Sequence, residues 1–372
     1  MSEIKVNSIK GVNSTDAAIT INNSDGTCTA NLTNKPNRNL IINGAMQVAQ
    51  RGTSSTTSGI NSVDRFALLY DGTDEAPTQA QVDVAAGTTP YTLGFRKAFK
   101  VTNGNQTSGA GSSDYVYYQH KMEAQDIANS GWNYTSSSSF ITLSFWVKSS
   151  VAQNFYGYVR THDFGTGSGA KMKYVYETGS LTANTWTKIT KTISGNSALQ
   201  IDNDVNNGFE ITFAPFWGTT YTGSGISLNT WEAWDSGLRQ PDSTTTWYTT
   251  NDATFEITGV QLEVGSVATD FEHEPEYVTF TKCQRYFQYW YHSVRFPSTS
   301  SNNHVLYHFP TPMRAAPTIV RTGDQFGSYE SGSTTSNTVS NSQYKYYYSG
   351  LLSYGNSSGA GVGGYGTLNA EI

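Results

Sequence analysis

The chain has 372 residues, a formal net charge of −6 and only 14% charged residues. It has no basic run, so no nucleic-acid partner is expected, and its apolar runs are far shorter than a membrane span. With 35 glycines, 24 tyrosines and 8 tryptophans, the composition is that of strands and turns, too aromatic for a disordered polar chain. The length holds two or three modest domains. Residues 1–4 carry neither a basic n-region nor an apolar h-region, so no signal peptide is expected. Cys28 and Cys283 are the only cysteines. Lying far apart, they form no zinc spacing or disulfide framework and read as reduced thiols, consistent with assembly in a cytoplasm.

Residues 1–36 carry short apolar pairs between polar turns, among them Ile4, Val6, Ile9, Ile19 and Ile21. A segment this small cannot build its own core. It reads as an arm that trimerises or docks, or else as one ordered only by its neighbours.

Residues 37–274 read as one sandwich. A short strand is expected at 39–44 and another starting at 63–66. Residues 95–101 and the tyrosine-rich run 115–120 follow, and 122–128 has helical spacing. Strong alternation marks 140–148, then 151–160, 171–177, 185–193 and 209–216. Strands this close together, with no long helices between them, argue for a sandwich rather than a parallel sheet. Trp146 and Trp186, in strong strands, are expected in its core. Residues 255–264 close the domain. Phe255 and Ile257 keep one parity, while Val260, Leu262 and Val264 keep the other. The switch at Thr258-Gly259 predicts a β-bulge.

Pro275 starts the next element. Tyr277, Val278, Cys283, Tyr286, Phe287 and Trp290 recur at roughly helical spacing, which predicts a linking helix over 275–291. Residues 292–372 read as a small β-module. Pro310, Pro312 and Pro317 puncture its early strands, and Ser, Asn, Gly and Tyr dominate 328–365. The fold class is therefore all-β: an extended N-terminal arm, a β-sandwich, one short linking helix and a C-terminal β-module.

Several blocks together resemble a known family. GVQLEVGSVATDFEH (259–273), followed by CQRYF (283–287), resembles virion proteins of tailed phages, especially tail-fibre-like proteins of marine phages and cyanophages. NRNLIINGAMQVAQRGT (37–53) with SVDRF (62–66) looks like the opening of their jelly-roll domain. FPTPMRAAPTIV (309–320) looks like the start of their C-terminal module. The resemblance implies a jelly roll similar to carbohydrate-binding modules, docking at the N-terminus and exposure at the other end. It implies a non-enzymatic virion component, most simply a homotrimeric tail fibre or receptor-binding protein. Such a protein would join other tail or collar proteins through its arm and contact host-surface polysaccharide. A head decoration or collar fibre with the jelly roll as a spacer is the alternative. A polysaccharide depolymerase is a third reading without a recognised catalytic set.

Rigid amphipathic rings suit stacking on sugars. Trp217, Tyr221, Trp231, Trp234, Trp247 and Tyr248 lie in or beside a Gly/Thr/Ser-rich loop region and are candidates for glycan contact. The plainer reading places them in the core or a subunit seam. Tyr344, Tyr346, Tyr347, Tyr348 and Tyr354 are candidates at the tip, where packing about a symmetry axis is equally open. Asp202 and Asp204 space oxygens like the front of a calcium loop, yet Phe213 stands where the closing acid would be. An Asx turn explains them as well. No cofactor is expected; a structural calcium at Asp202 and Asp204 is the weaker alternative to the turn. Glu272, His273, Glu274 and Glu276 lack the spacing of a metal pair and read as a solvated connection. The glycines of 165–169 read as a hairpin tip. No triad order or phosphate-loop fingerprint is present.

Overall fold

The computed structural model describes residues 6–10, 12, 17–21, 24, 28–30, 36–162, 171–295, 303–324, 337–338, 347–354 and 361–372. In the arm, β1 (Ser8–Lys10), β2 (Ala17–Ile21) and β3 (Cys28–Ala30) form an antiparallel sheet in that order. Val6 is 42% and Ile9 50% exposed. Ile19 and Ile21 are half-buried. Ile4 and the glycine run 165–169 lie outside the described residues.

Two six-stranded antiparallel sheets make the sandwich. Its strands are β4 (Ser54–Ser55), β5 (Phe66–Asp71), β6 (Thr78–Asp83), β7 (Lys97–Thr102), β8 (Tyr115–Glu123), β9 (Phe140–Ser149), β10 (Asn154–Thr161), β11 (Met172–Ser180), β12 (Thr187–Ser194), β13 (Asn207–Trp217), β14 (Trp231–Ala233) and β15 (Thr254–Val264). The first sheet has the order β12-β9-β15-β7-β6-β4 and the second β14-β11-β10-β13-β8-β5. The chain crosses repeatedly between sheets, as in a jelly roll. Period-two alternation aims Leu68, Tyr118, Phe145, Val159, Phe213 and Leu262 into one shared core. The short helices α1 (Thr89–Thr92), α2 (Ala124–Ala128) and α3 (Thr246–Thr249) fill connections.

The expected bulge is present. The register of β15 against β9 shifts between Thr258 and Gln261. Gly259 holds φ 61°, and a Cβ there would come within 2.6 Å of the Phe95 ring. The bulge lets Phe255, Ile257, Val260 and Leu262 all face the core. Val264, expected to share that face, is 40% exposed because the strand ends as it leaves the sandwich.

Residues 39–44 are not a strand, contrary to expectation. They form a strap that satisfies the bulged edge of β15. Leu40 N–H donates to the Leu262 carbonyl at 2.8 Å and Val260 N–H to the Gly44 carbonyl at 2.9 Å. A Cβ on Gly44 would lie 2.0 Å from the Val260 carbonyl oxygen, so only glycine fits. The Glu272 carboxylate accepts the Asn37 and Asn39 N–H groups at 2.5 and 2.9 Å. Trp146 and Trp186 are also corrected. Both pack half-buried on the outer side of the first sheet, against the cluster of Val84, Phe95 and Ala98.

The linking helix α4 (Glu276–Gln284) ends well before residue 291. Pairing with the last strand captures the main chain from Phe287 onward, so Phe287 and Trp290 belong to a strand. That strand is β16 (Phe287–Arg295), followed by β17 (Asn303–Met313), β18 (Thr318–Asp324), β19 (Asn337–Thr338), β20 (Tyr347–Tyr354) and β21 (Gly361–Asn369). They form two three-stranded sheets, β16-β21-β18 and β17-β20-β19. The β17–β20 register jumps between His308 and Met313. Pro310 and Pro312 sit in that jump, on the edge strand, where a missing N–H costs no ladder bond.

Leu262→Asp should destabilise the fold by several kcal/mol, since an unpaired carboxylate would replace a side chain with no exposed surface. An unchanged urea midpoint would show that the strand register is wrong. His120 predicts an acid sensitivity. Its ring is fully buried against Phe66, with Nε2 3.2 Å from the Ile42 carbonyl oxygen. Burial, with a smaller contribution from the Arg65 charge, pushes its pKa down to about 3. Below pH about 6.5 the unfolded chain gains a proton there that the folded chain refuses. Stability is therefore lost as pH falls from about 6.5 towards 3, by at most about 1.4 kcal/mol per pH unit. Urea unfolding of His120→Gln between pH 6.5 and 4 should show a shallower loss than the parent; parallel pH profiles would refute it.

Candidate functional site

The outer face of the second sheet gathers part of the aromatic set. On β8, Val116 and Tyr118 point inward, so Tyr115, Tyr117, Gln119 and Lys121 point outward. On β13 the register against β8 shifts between Phe213 and Phe216. Phe216 turns inward to stack on Tyr248, with ring centroids 4.2 Å apart. Trp217 turns outward, opposite Tyr115. Its ring stacks on Tyr117 at 4.5 Å and lies 4.9 Å from Tyr115 and 5.1 Å from Tyr221. The Arg239 guanidinium sits 4.1 Å above Trp217 and 4.5 Å from the Tyr221 ring centre. Trp234 packs 5.3 Å from Tyr158, with the Arg160 guanidinium 4.0 Å over its ring.

The loop that carries Tyr221, Trp234 and Arg239 is pinned by backbone bonds. Arg239 N–H donates to the Tyr221 carbonyl and Trp234 N–H to the Lys171 carbonyl, at 2.8 and 2.7 Å. Thr222 Oγ1 donates to Asp242 at 2.7 Å. The Lys173 ammonium donates to the Leu238 carbonyl. Below the rings, Arg160 faces the fully buried Glu210 at 2.8 Å, and Gln119 Nε2 donates to the same carboxylate at 3.1 Å. Burial raises the hydroxyl pKa of Tyr115, of Tyr117 and of Tyr158, the last to about 12. These phenols stay neutral, as hydrogen-bonding groups on a platform must.

The predicted set therefore divides. Tyr221 and Trp234 are half-buried and open at the surface. Trp217 is only 1% exposed, a foundation covered by its neighbours. Trp231 and Trp247 are corrected to core residues. Trp231 packs on Tyr174 and Phe209 and donates its indole N–H to the Ser194 carbonyl at 2.7 Å. Trp247 has no exposed surface and donates to the Thr254 carbonyl at 3.0 Å. Tyr248 is also core, its hydroxyl on Asp114 at 3.0 Å. Sequence reasoning missed Tyr115, Tyr117 and Arg239. The i, i+2 spacing of the tyrosines on a strand would have found two of them; nothing local marks Arg239.

Tyr344 and Tyr346 lie outside the described residues. Tyr347, Tyr348 and Tyr354 fall on β20. Both oxygens of Asp204 are engaged by Asn206, through its N–H at 2.9 Å and its amide at 2.7 Å, the geometry of an Asx turn. Among the described residues no group of three or more His, Cys, Asp or Glu side chains could hold a metal. His273 contacts the Leu93 carbonyl oxygen through Nε2 at 2.8 Å, and Glu274 pairs with Lys282, so this block ties the structure together. A cleft of about 980 Å³ opens between residues 36–42, α2 and α4. The cations on it are already matched: Arg38 to Glu263, Lys282 to Glu274 and Arg285 to Glu123.

No family model matches the chain, and no curated protein matches its sequence. Solved structures similar to it include the enzymatically active domain of tailspike protein 4 from bacteriophage CBA120. That likeness has a TM-score of 0.32 and 11% identity, and covers 62% of this chain and 22% of that one. Another is the CBM22-2 xylan-binding domain from Paenibacillus barcinonensis Xyn10C, with TM-score 0.28, 14% identity, and coverage of 53% and 91%. A third is the family 11 carbohydrate-binding module from Clostridium thermocellum in complex with a mixed-linked tetrasaccharide, with TM-score 0.26, 12% identity, and coverage of 58% and 98%. The chain thus spans under a quarter of the tailspike chain.

Proposed function

We propose that this chain is a structural protein of a tailed-phage virion, a tail fibre or receptor-binding protein whose jelly roll contacts host-surface glycan. The observation that carries the glycan contact is the half-buried ring group of Tyr115, Tyr117, Tyr221 and Trp234, held on a rigid sheet face. Such rings present flat apolar surface at low entropic cost, with phenol hydroxyls for the sugar hydroxyls. The sequence blocks that resemble tail-fibre-like proteins support the virion role. The exposed apolar residues Val6 and Ile9 support an arm that assembles symmetrically, as a trimer, and docks on tail or collar proteins. Three weak sites on one particle component gain by avidity.

One observation favours a spacer or decoration role instead: Trp217 is sealed under Tyr117 and Arg239, which looks like packing. Hydrolysis has less support, because Glu210, the buried carboxylate on this face, is matched by Arg160 and Gln119.

Light scattering of the soluble full chain should give about three protomers; a monomer at micromolar concentration would remove the arm's assembly role. For the glycan contact, Tyr117→Ala with Trp234→Ala should weaken adsorption to purified host surface polysaccharide by about tenfold or more at a temperature where circular dichroism shows the variant still folded. Undiminished adsorption would move recognition to the tip residues 344–354 or end the receptor reading.

A further inference from the structure

On this same face, and resting on the glycan reading, we propose that the ligand is an anionic glycan, its carboxylate or sulfate held by Arg239. The argument starts from charge matching. Arg160 faces Glu210 at 2.8 Å and Lys173 faces Glu232 at 3.7 Å. Lys121 donates to the Ile372 carbonyl at 3.2 Å. Arg239 differs. Among the described residues no carboxylate pairs with it. Its side chain makes one hydrogen bond, Nε to the Ser236 carbonyl at 3.0 Å. Its guanidinium lies 4.1 Å from the Trp217 ring centre and 4.5 Å from that of Tyr221.

Aromatic faces stabilise a guanidinium from below but accept no in-plane hydrogen bonds. Arg239 is half-buried, and its Nη groups donate to no acceptor among the described residues. A planar carboxylate or a sulfate meets that fork with two parallel bonds. The neighbouring Tyr115 and Tyr117 stay neutral and supply hydroxyls beside it. Further along the outer face of β8 a cavity of about 220 Å³ opens, lined by Gln119 and Lys121 among others. At the rise of a strand, Tyr117 to Lys121 is roughly 14 Å, the reach of a short oligosaccharide rather than a single sugar. Among the described residues the face therefore carries an unmatched cation at one end, rings beside it and, at the other end, a small and mostly apolar cavity edged by Gln119 and Lys121.

The test uses the purified full chain in affinity electrophoresis at physiological salt, with polygalacturonate, alginate, dextran sulfate and neutral dextran as probes. The expected result is retardation by at least one acidic probe and none by dextran. Arg239→Gln should lose that retardation by about tenfold or more, while Arg239→Lys, which keeps the charge but not the planar fork, should lose part of it and retain more than Arg239→Gln. Arg96→Gln, a surface arginine stacked on Tyr91 elsewhere, should behave like the parent. Polygalacturonate and alginate against dextran sulfate separates a carboxylate from a sulfate ligand. Equal binding of dextran and the acidic probes, unchanged in Arg239→Gln, would overturn the anionic assignment and leave the glycan reading standing. No retardation by any probe would overturn the anionic assignment and count against both. If Arg239→Gln and Arg239→Lys lose binding alike with lowered melting temperatures, Arg239 only pins the loop, and the proposal fails.

Discussion

Glu123, at the end of β8, has no exposed surface, yet it is where the two β-modules are joined. Arg285 grips it with two bonds of 2.6 and 2.7 Å, from Nε and Nη2 to separate oxygens. The Tyr286 hydroxyl donates to it at 2.7 Å and the Gln125 amide at 2.7 Å. A buried charge is tolerable only when its lone pairs are all met, and removing one partner of such a pair costs about 3–5 kcal/mol. The direction in which the chain leaves α4 is thereby set, since Arg285 and Tyr286 immediately precede β16.

Around that pair the other modules' termini are fastened by arginines. The Arg65 guanidinium lies 3.5 Å over the Tyr286 ring and pairs with Glu371. Arg51 lies 3.7 Å over Phe287 and also reaches Glu371, at 3.2 Å. Arg314 ties the junction to the main chain at Val205, Ala370 and Glu371. Arg65 holds φ 72°, an uncommon conformation outside glycine. Its side-chain contacts compensate for that backbone. A network of planar guanidiniums over rings fixes orientation as well as contact, so β16 and β8 form a rigid frame. The outer face of β8, where the aromatic platform stands, belongs to that frame.

The sequence blocks that resembled a family turn out to be neighbours in space. The strap of 37–47 lies on β15 through Leu40, Gly44 and Asn39, whose Oδ1 accepts the Leu262 N–H at 3.1 Å. Residues 259–273 return Glu272 and Glu263 to that strap, the latter facing Arg38 at 3.6 Å. Arg51 comes from the end of the strap's own block, and Arg65, Arg285 and Tyr286 come from the others. Residues 37–39 and 259–273 thus share one set of polar contacts, and Arg51, Arg65, Arg285 and Tyr286 share another around Glu123 and Glu371.

Alternation along 140–148 and 209–216, the parity switch at Gly259 and the punctuating prolines were enough to read an all-β sandwich with a bulged closing strand from the sequence alone. These features are local: side-chain period, backbone freedom and missing donors act within a few residues. The strap at 39–44 was misread as a strand because its apolar run looks the same whether its N–H groups meet a sheet or the end of one strand. Which tryptophans face solvent was equally out of reach. Trp231 and Trp247 became core and Trp217 a covered base, because that choice depends on what lies across the sheet. Arg239 carries no local mark at all. Only the three-dimensional packing brings its guanidinium over Trp217 and leaves it without a carboxylate among the described residues, since charge matching is a property of neighbours distant in the chain.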